Sequence, residues 1–205
     1  GLVELYETTF KPGYLQTALE LNNDLLKHFW DEKGGGFYFN ADDGEKLLLR
    51  QKEVYDGAIP SGNSAAMLNM IRLGRIVADE SLEEKAVILS KAFSGQIKDV
   101  PSGYAQMMVA LDFVIGPSYE IVVVGDLQSD DTVAMLKAVR ERFIPNKVVI
   151  FKPDNNGSSE IVNLAKFTKD QKSMDGKATA YVCINYSCKM PTTDVVKMLE
   201  LLNVK

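Results

Sequence analysis

The chain has 205 residues, 46% of them hydrophobic, which suffices for one large domain or two small ones with buried cores. Its formal net charge is −5, with acids and bases mixed along the chain, and this argues against nucleic-acid binding, which favours clustered Lys and Arg. No run of about 18 apolar residues predicts a membrane span, and no signal-peptide pattern is present at the start.

Cysteine and histidine usage restricts the chemistry. The two cysteines, Cys183 and Cys188, have the spacing of neither a zinc site nor a Cys-x-x-Cys redox motif, so we expect reduced thiols in a cytoplasmic protein. Cys183 lies in a predicted strand as an inert apolar residue, and Cys188 in the next loop is the more reactive candidate. With His28 as the single histidine, we expect no metal, no cofactor and no acyl-transfer triad.

The first 116 residues predict helices. One apolar stripe runs from Leu15 to Phe29. Residues 62–79 are apolar on nearly every side, which predicts a helix buried all round. A helix with one apolar stripe, started by a Ser81/Glu84 capping box, covers 82–97, and another follows Pro101. Alternating buried and half-exposed helices favour packed helical hairpins, with a short aromatic strand hairpin after Gly34.

The pattern changes after Gly116, where residues 117–205 predict a small α/β layer with a mostly parallel sheet. A β-branched run at 120–124, a helix after Ser129 and a second run at 147–151 form a βαβ unit. A polar loop at Asn155, Asn156 and Gly157, a strand at 180–184 and a last helix after Thr193 or Asp194 follow. Gly125-Asp126 lacks the further glycines of a nucleotide-binding turn.

The polar residues just before the buried helix form the candidate site. Pro60 suits a helix start, and the unpaired N–H groups of a first helical turn face whatever approaches. The predicted ligand-binding residues are Lys52, Tyr55, Ser61, Gly62, Asn63 and Ser64. Asp56 is the candidate catalytic acid or base, and Asp31 is a second carboxylate with which it could pair. The alternative is a helix cap packed against a tight loop, without a ligand.

Two other features have competing interpretations. Phe37, Tyr38 and Phe39 would either stack on a sugar ring or pack within a half-buried hairpin. His28 would be either a general base near Trp30 or a helix-end histidine stabilised by the helix dipole.

Several motifs, in the same order, resemble the spermatogenesis-associated thioredoxin-domain proteins and their microbial counterparts. These motifs are Trp30-Asp31, Gly34–Phe39, Asp56–Ala58, Pro60–Ser64, Arg142–Val149, Asp175–Cys183, and Cys188 with Pro191–Asp194. The resemblance implies a thioredoxin-like domain followed by an α/α barrel similar to N-acylglucosamine 2-epimerases and six-hairpin glycosidases. It implies that this chain is the last part of that barrel plus the C-terminal α/β layer, without the thioredoxin-like domain and the first barrel half.

Two functional hypotheses follow from the residues and the resemblance together. In the first, the chain contributes part of a carbohydrate-binding site. In the second, it is a non-catalytic scaffold or interaction module for the missing thioredoxin-like domain. The chain begins at Gly1 rather than Met, so we expect a fragment. We expect this fragment to be inactive alone, because a barrel site needs side chains from the missing hairpins. Without its neighbouring hairpins, it is also expected to self-associate through bare apolar surface.

Overall fold

The computed structural model describes residues 1–154 and 160–203, so the loop predicted at Asn155, Asn156 and Gly157 lies outside the described residues. The chain folds into two compact units. The first unit comprises residues 1–3, 13–74 and 79–115, and the second comprises residues 4–12, 75–78 and those from 116 onward. The fold class is mixed, with helices in both units and a sheet in the second. None of the described helices is both long enough and apolar enough to cross a bilayer.

Helices dominate the first unit. Their bounds, together with that of the first helix of the chain, are α1 Leu2–Thr9, α2 Pro12–Phe29, α3 Gly62–Val77, α4 Glu80–Ala92, α5 Ser94–Asp99 and α6 Ala105–Ile115, with a 3₁₀ turn at Pro101–Tyr104. Most apolar residues of α3 are buried, with Met67, Met70, Ile71 and Leu73 at most 1% exposed. Ala65, Leu68 and Val77 are half-buried and Asn69 is exposed, so the helix is not buried all round as predicted. α3 is therefore part of the core of the first unit, and the polar residues of the predicted site lie at its start.

The helix predicted over 82–97 is interrupted. Phe93, with φ −111° and ψ 6°, separates α4 from α5, and two weak helix formers, Ser94 and Gly95, follow it. The N-cap of α4 is Asp79 rather than Ser81, because an Asp79 carboxylate oxygen accepts from the Ser81 N–H at 3.0 Å.

The strand hairpin predicted after Gly34 is mostly loop. A single antiparallel bridge joins Trp30 to Phe37, and no strand is assigned between residues 38 and 61. Gly35 and Gly36 adopt φ of 70° and 76°, the left-handed conformation that glycine tolerates best, so the predicted tight turn does form.

The second unit contains a sheet of four strands in the described part of the chain. Its elements are β1 Tyr119–Gly125, α7 Asp130–Arg140, β2 Lys147–Pro153, α8 Glu160–Leu164, a 3₁₀ turn at Lys166–Thr168, β3 Thr179–Ile184, β4 Ser187–Cys188 and α9 Val195–Leu201. The strand order is β2-β1-β3-β4. Asp194 caps α9 by accepting from the N–H groups of Val196 and Lys197, as one of the two predicted caps.

The sheet is mixed, and the prediction of a mostly parallel sheet was wrong. β1 and β2 are parallel, whereas β3 is antiparallel to both β1 and β4. The chain enters β3 at the edge where β1 and β2 end: the Ala178 N–H donates to Asp131, at the start of the helix after β1. A strand entered from that edge must run back against β1. One face of the sheet packs on α7, α9 and Phe10.

Candidate functional site

Asp56 is buried and bonded to backbone on both sides. It is 9% exposed, its Oδ1 accepts from the Ser61 N–H at 2.8 Å, and its Oδ2 accepts from the Met107 N–H at 3.0 Å. These donors lie at the start of α3 and in the first turn of α6, where helical N–H groups lack intrahelical partners. The carboxylate therefore ties two helix starts together, and this is the geometry of a structural cap.

Ser61 and Ser64 form a local cap at the start of α3. Ser61 Oγ accepts from the Ser64 N–H at 3.1 Å and donates to Ser64 Oγ at 2.9 Å. Both residues are buried, whereas Gly62 between them is exposed, with nothing within 4 Å of where a Cβ would stand. Of these three predicted ligand-binding residues, Gly62 alone borders open space.

The Asn63 side chain joins two segments of the loop region. Its Oδ1 accepts from the Phe37 N–H at 2.7 Å, and its Nδ2 donates to the carbonyl oxygens of Phe37 at 3.0 Å and Glu53 at 2.7 Å. This amide replaces the strand pairing that the loop lacks, because it satisfies backbone groups on both segments.

Asp31 and Lys52 form a partly buried ion pair, with Lys52 Nζ 2.5 Å from Asp31 Oδ2. Lys52 also donates to the Gly35 carbonyl, and Asp31 Oδ1 accepts from the Lys33 N–H at 3.0 Å. The Lys52 ammonium, and after it the Lys33 N–H, hold the pKa of the Asp31 carboxyl far below its usual range. Asp31 thus anchors the glycine turn, and its hydrogen-bond partners differ from those of Asp56.

Tyr55 is 59% exposed, and its ring packs edge-on against Tyr104 with centroids 6.2 Å apart. Of the residues predicted to bind a ligand, it presents the largest side chain to solvent.

An aromatic cleft lies beside the predicted site. Its volume is about 260 Å³, and it is lined by Leu25, Phe29, Phe37, Tyr38, Phe39, Glu53, Gly62 and Asn63. Phe39 is 74% exposed, whereas Phe37 is 4% exposed and packs on Trp30. Phe37 therefore packs inside the loop region, whereas Phe39 is exposed at the cleft. The sequence did not predict that Phe29 and Glu53 line a cleft. Their only signal in the sequence is that they directly follow His28 and Lys52, which were selected.

His28 lies in the last turn of α2 and contacts two acids. Its Nδ1 is 2.9 Å from Asp42 Oδ1 and 3.4 Å from Asp43 Oδ2. The contact with His28 lowers the pKa of the Asp42 carboxyl. Among the described residues, these three bring ligand atoms within 4.8 Å of one another, on the protein surface. Each already has a partner in the cluster, so the geometry is that of a paired histidine at a helix end.

The two cysteines are disulfide-bonded, contrary to the prediction of two reduced thiols. They lie directly opposite each other in β3 and β4, and adjacent strands bring such side chains within bonding range. The sequence argument for a reducing compartment rested on free thiols and therefore loses its basis.

Comparison with known proteins shows relatives along nearly the whole chain, while no family model matches. The chain is 37% identical over 204 residues to human spermatogenesis-associated protein 20, covering 99% of this chain and 26% of that protein. The rat protein of the same name is 36% identical over the same share. The chain is therefore similar, along nearly its whole length, to a segment of spermatogenesis-associated protein 20.

An uncharacterized protein of Caenorhabditis elegans is also similar, at 29% identity over 99% of this chain and 27% of that protein. The chain thus spans about a quarter of the length of the curated relatives it matches.

Proposed function

We propose that this segment contributes the aromatic side of a carbohydrate-binding site in a larger protein and supplies no catalytic group itself. The observation that carries the proposal is the cleft that Phe29, Phe37, Tyr38 and Phe39 line, with Glu53 at its edge. Clefts lined by apolar side chains with a few polar groups are the usual form of small-molecule sites.

The cleft has the two kinds of surface that a sugar needs. The flat C–H face of a pyranose packs on an exposed aromatic ring, and Phe39 offers such a ring at 74% exposure. Glu53 is exposed beside it, and a carboxylate accepts strong hydrogen bonds from hydroxyl groups. Gly62 borders the same cleft without a side chain that would fill it.

The polar residues nearby support a binding role rather than a catalytic one. Both Asp56 oxygens accept from backbone N–H groups, and Asp31 is paired with Lys52. A general acid or base must exchange a proton with its substrate, and neither carboxylate has an oxygen arranged for that exchange. We therefore place any catalytic residues in the remainder of the protein, which the resemblance suggests is the first half of an α/α barrel and a thioredoxin-like domain.

Saturation-transfer NMR with a panel of hexoses and N-acylhexosamines tests this proposal. We expect a signal that Phe39→Ala abolishes and that Phe143→Ala, a change of an aromatic that is 90% exposed in the second unit, leaves intact. Binding that survives Phe39→Ala, or no binding to any sugar, would reject the cleft as a sugar site. Turnover of a sugar by this chain, lost in Asp56→Asn, would reject the non-catalytic assignment.

The second candidate function is a scaffold or interaction module for the thioredoxin-like domain that the resemblance implies. It is favoured by the intramolecular hydrogen bonds of Asp56, Ser61 and Asn63. Because these three side chains bond within the protein, none of them is available to a ligand at the start of α3. Fluorescence anisotropy with the separately produced remainder of the protein distinguishes the two candidates. A scaffold binds that partner and no sugar, and Phe39→Ala does not change its affinity.

A further inference from the structure

We propose that the Cys183–Cys188 disulfide is a thiol–disulfide exchange site, with Cys188 as the sulfur that an external thiol attacks and Cys183 as the sulfur that leaves. Three observations carry the proposal: the unequal exposure of the two cysteines, the short loop that they close, and the contacts that hold the hairpin independently of the disulfide.

The two cysteine residues differ in exposure. Cys188 is exposed in the two-residue edge strand β4, whereas Cys183 is 2% exposed in β3. Exchange requires that a thiolate reach one sulfur along the S–S axis, so access decides which sulfur forms the mixed disulfide. An external thiol meets Cys188 first.

The disulfide closes a loop with a sequence separation of only five residues. A cross-link stabilises mainly by restricting the unfolded chain, and this effect is smallest for short loops. Such a bond contributes less to holding the fold than one that joins distant segments, so the fold tolerates its opening.

Contacts other than the disulfide hold the β3–β4 hairpin. Its turn residues, Asn185 and Tyr186, have φ of 49° and 65°, the conformation of a type I′ turn that matches strand twist. Asn185 Oδ1 accepts from the Ser118 N–H and hydroxyl, and the Tyr186 N–H donates to Glu120 Oε2 at 3.0 Å. The sulfurs therefore stay adjacent after reduction and can rejoin.

A buried ion pair lies in the same row of the sheet. Glu120 of β1 is the register partner of Cys183, and Cys183 is the register partner of Cys188, so the three side chains share one face. Arg75 donates to Glu120 Oε1 at 2.7 Å, and its guanidinium lies 4.3 Å from the centre of the Tyr186 ring. These contacts hold the turn residue Tyr186 against β1 and fix the position of β4.

The exchange balances with a small dithiol as the reductant. The first thiolate attacks Cys188 Sγ, the S–S bond breaks, and Cys183 leaves as a thiolate that takes a proton from water. The second thiol of the reductant loses its proton and attacks the reductant's first sulfur in the mixed disulfide. Cys188 then leaves as a thiolate and is protonated. The dithiol is oxidised to a cyclic disulfide, and two electrons reach the cysteine pair.

Two single-cysteine variants of the full chain test the assignment. Cys183→Ser leaves Cys188 alone, and Cys188→Ser leaves Cys183 alone. With glutathione disulfide under native conditions, we expect Cys188 to form its glutathione adduct at least about tenfold faster than Cys183, as measured by mass spectrometry. Equal rates, or a faster Cys183, would overturn the assignment of roles. Circular dichroism checks that both variants are folded.

Reduction of the unmodified chain by dithiothreitol completes the test. We expect no thiol before treatment, two thiols after it without denaturant, an unchanged circular dichroism spectrum, and reoxidation once the dithiol is removed. Two free thiols in air-oxidised protein, or a disulfide that opens only in denaturant, would overturn the proposal. The double variant Cys183→Ser/Cys188→Ser is the blank for thiol counting.

Discussion

At the scale of single residues, Asp56 is the carboxylate whose role is most sharply testable. Asp56→Ala removes the acceptor of two backbone N–H groups, those of Ser61 and Met107. Because buried donors then remain unpaired, we expect a loss of roughly 1–3 kcal/mol in the free energy of unfolding. Urea denaturation measures it.

The matched control for Asp56→Ala is Asp24→Ala, which removes an exposed acid on the surface of α2. We expect the control to change stability by less than about 0.5 kcal/mol. Equal stability of the two variants, with sugar binding lost only in Asp56→Ala, would instead make Asp56 a ligand-binding residue.

Asp31 predicts a pH dependence of stability. Its pKa in the folded protein is held below the unfolded value by Lys52, so the ionised carboxylate stabilises the fold above about pH 4. That contribution is lost as the pH falls from there toward the folded pKa. In Lys52→Met the largest cause of the lowered pKa is gone, so the free energy of unfolding should fall less steeply between about pH 4 and pH 2.

Denaturant titrations at several pH values measure this slope. Lys46→Met, a change of an exposed lysine in the same loop region, is the control and should retain the slope of the unmodified chain. Identical slopes for Lys52→Met and Lys46→Met would contradict the role given to the Asp31–Lys52 pair.

At the scale of secondary-structure elements, the buried Arg75–Glu120 pair joins a residue near the end of α3 to β1. The two side chains are 7% and 3% exposed. Arg75→Met removes the guanidinium that donates to the buried Glu120 carboxylate, and we expect a loss of roughly 3–5 kcal/mol. The double variant Arg75→Met/Glu120→Met should be more stable than Arg75→Met, because it also removes the buried carboxylate.

Thermal and urea unfolding of both variants measure the difference. A double variant that is less stable than Arg75→Met would show that Glu120 supports the hairpin through the Tyr186 N–H more than it costs as a buried charge.

At the scale of the whole molecule, exposed apolar side chains predict self-association. Leu48, Leu49, Ile59 and Ile115 are between 71% and 109% exposed, and exposed apolar side chains that form large patches usually contact a partner. We expect light scattering after size exclusion to show a mass that rises with concentration, and Leu48→Lys/Leu49→Lys to lower it. A concentration-independent monomer would contradict this prediction.

In the whole molecule, some features of the fold are set by neighbouring residues and others by contacts between distant segments. The apolar surface of α3, the strands at 119–125 and 147–153, and the Asp194 cap each depend on neighbouring residues, and their sequence patterns predicted them. The direction of β3 depends on which edge of the sheet the chain reaches after β2. No residue pattern within a strand determines that edge, so the parallel sheet was wrongly predicted.

The sequence by itself determined that polar residues gather before a buried helix, because capping residues and glycines have local conformational preferences. Only the tertiary structure decided what those residues contact: Asp56 bonds to a helix start 51 residues away, and Asn63 bonds to Phe37, 26 residues away. It likewise decided the Cys183–Cys188 bond, because bonding range follows from strand register. Hydrogen bonds and disulfides need atoms at specific distances, and distances between separate segments arise only when the chain has folded.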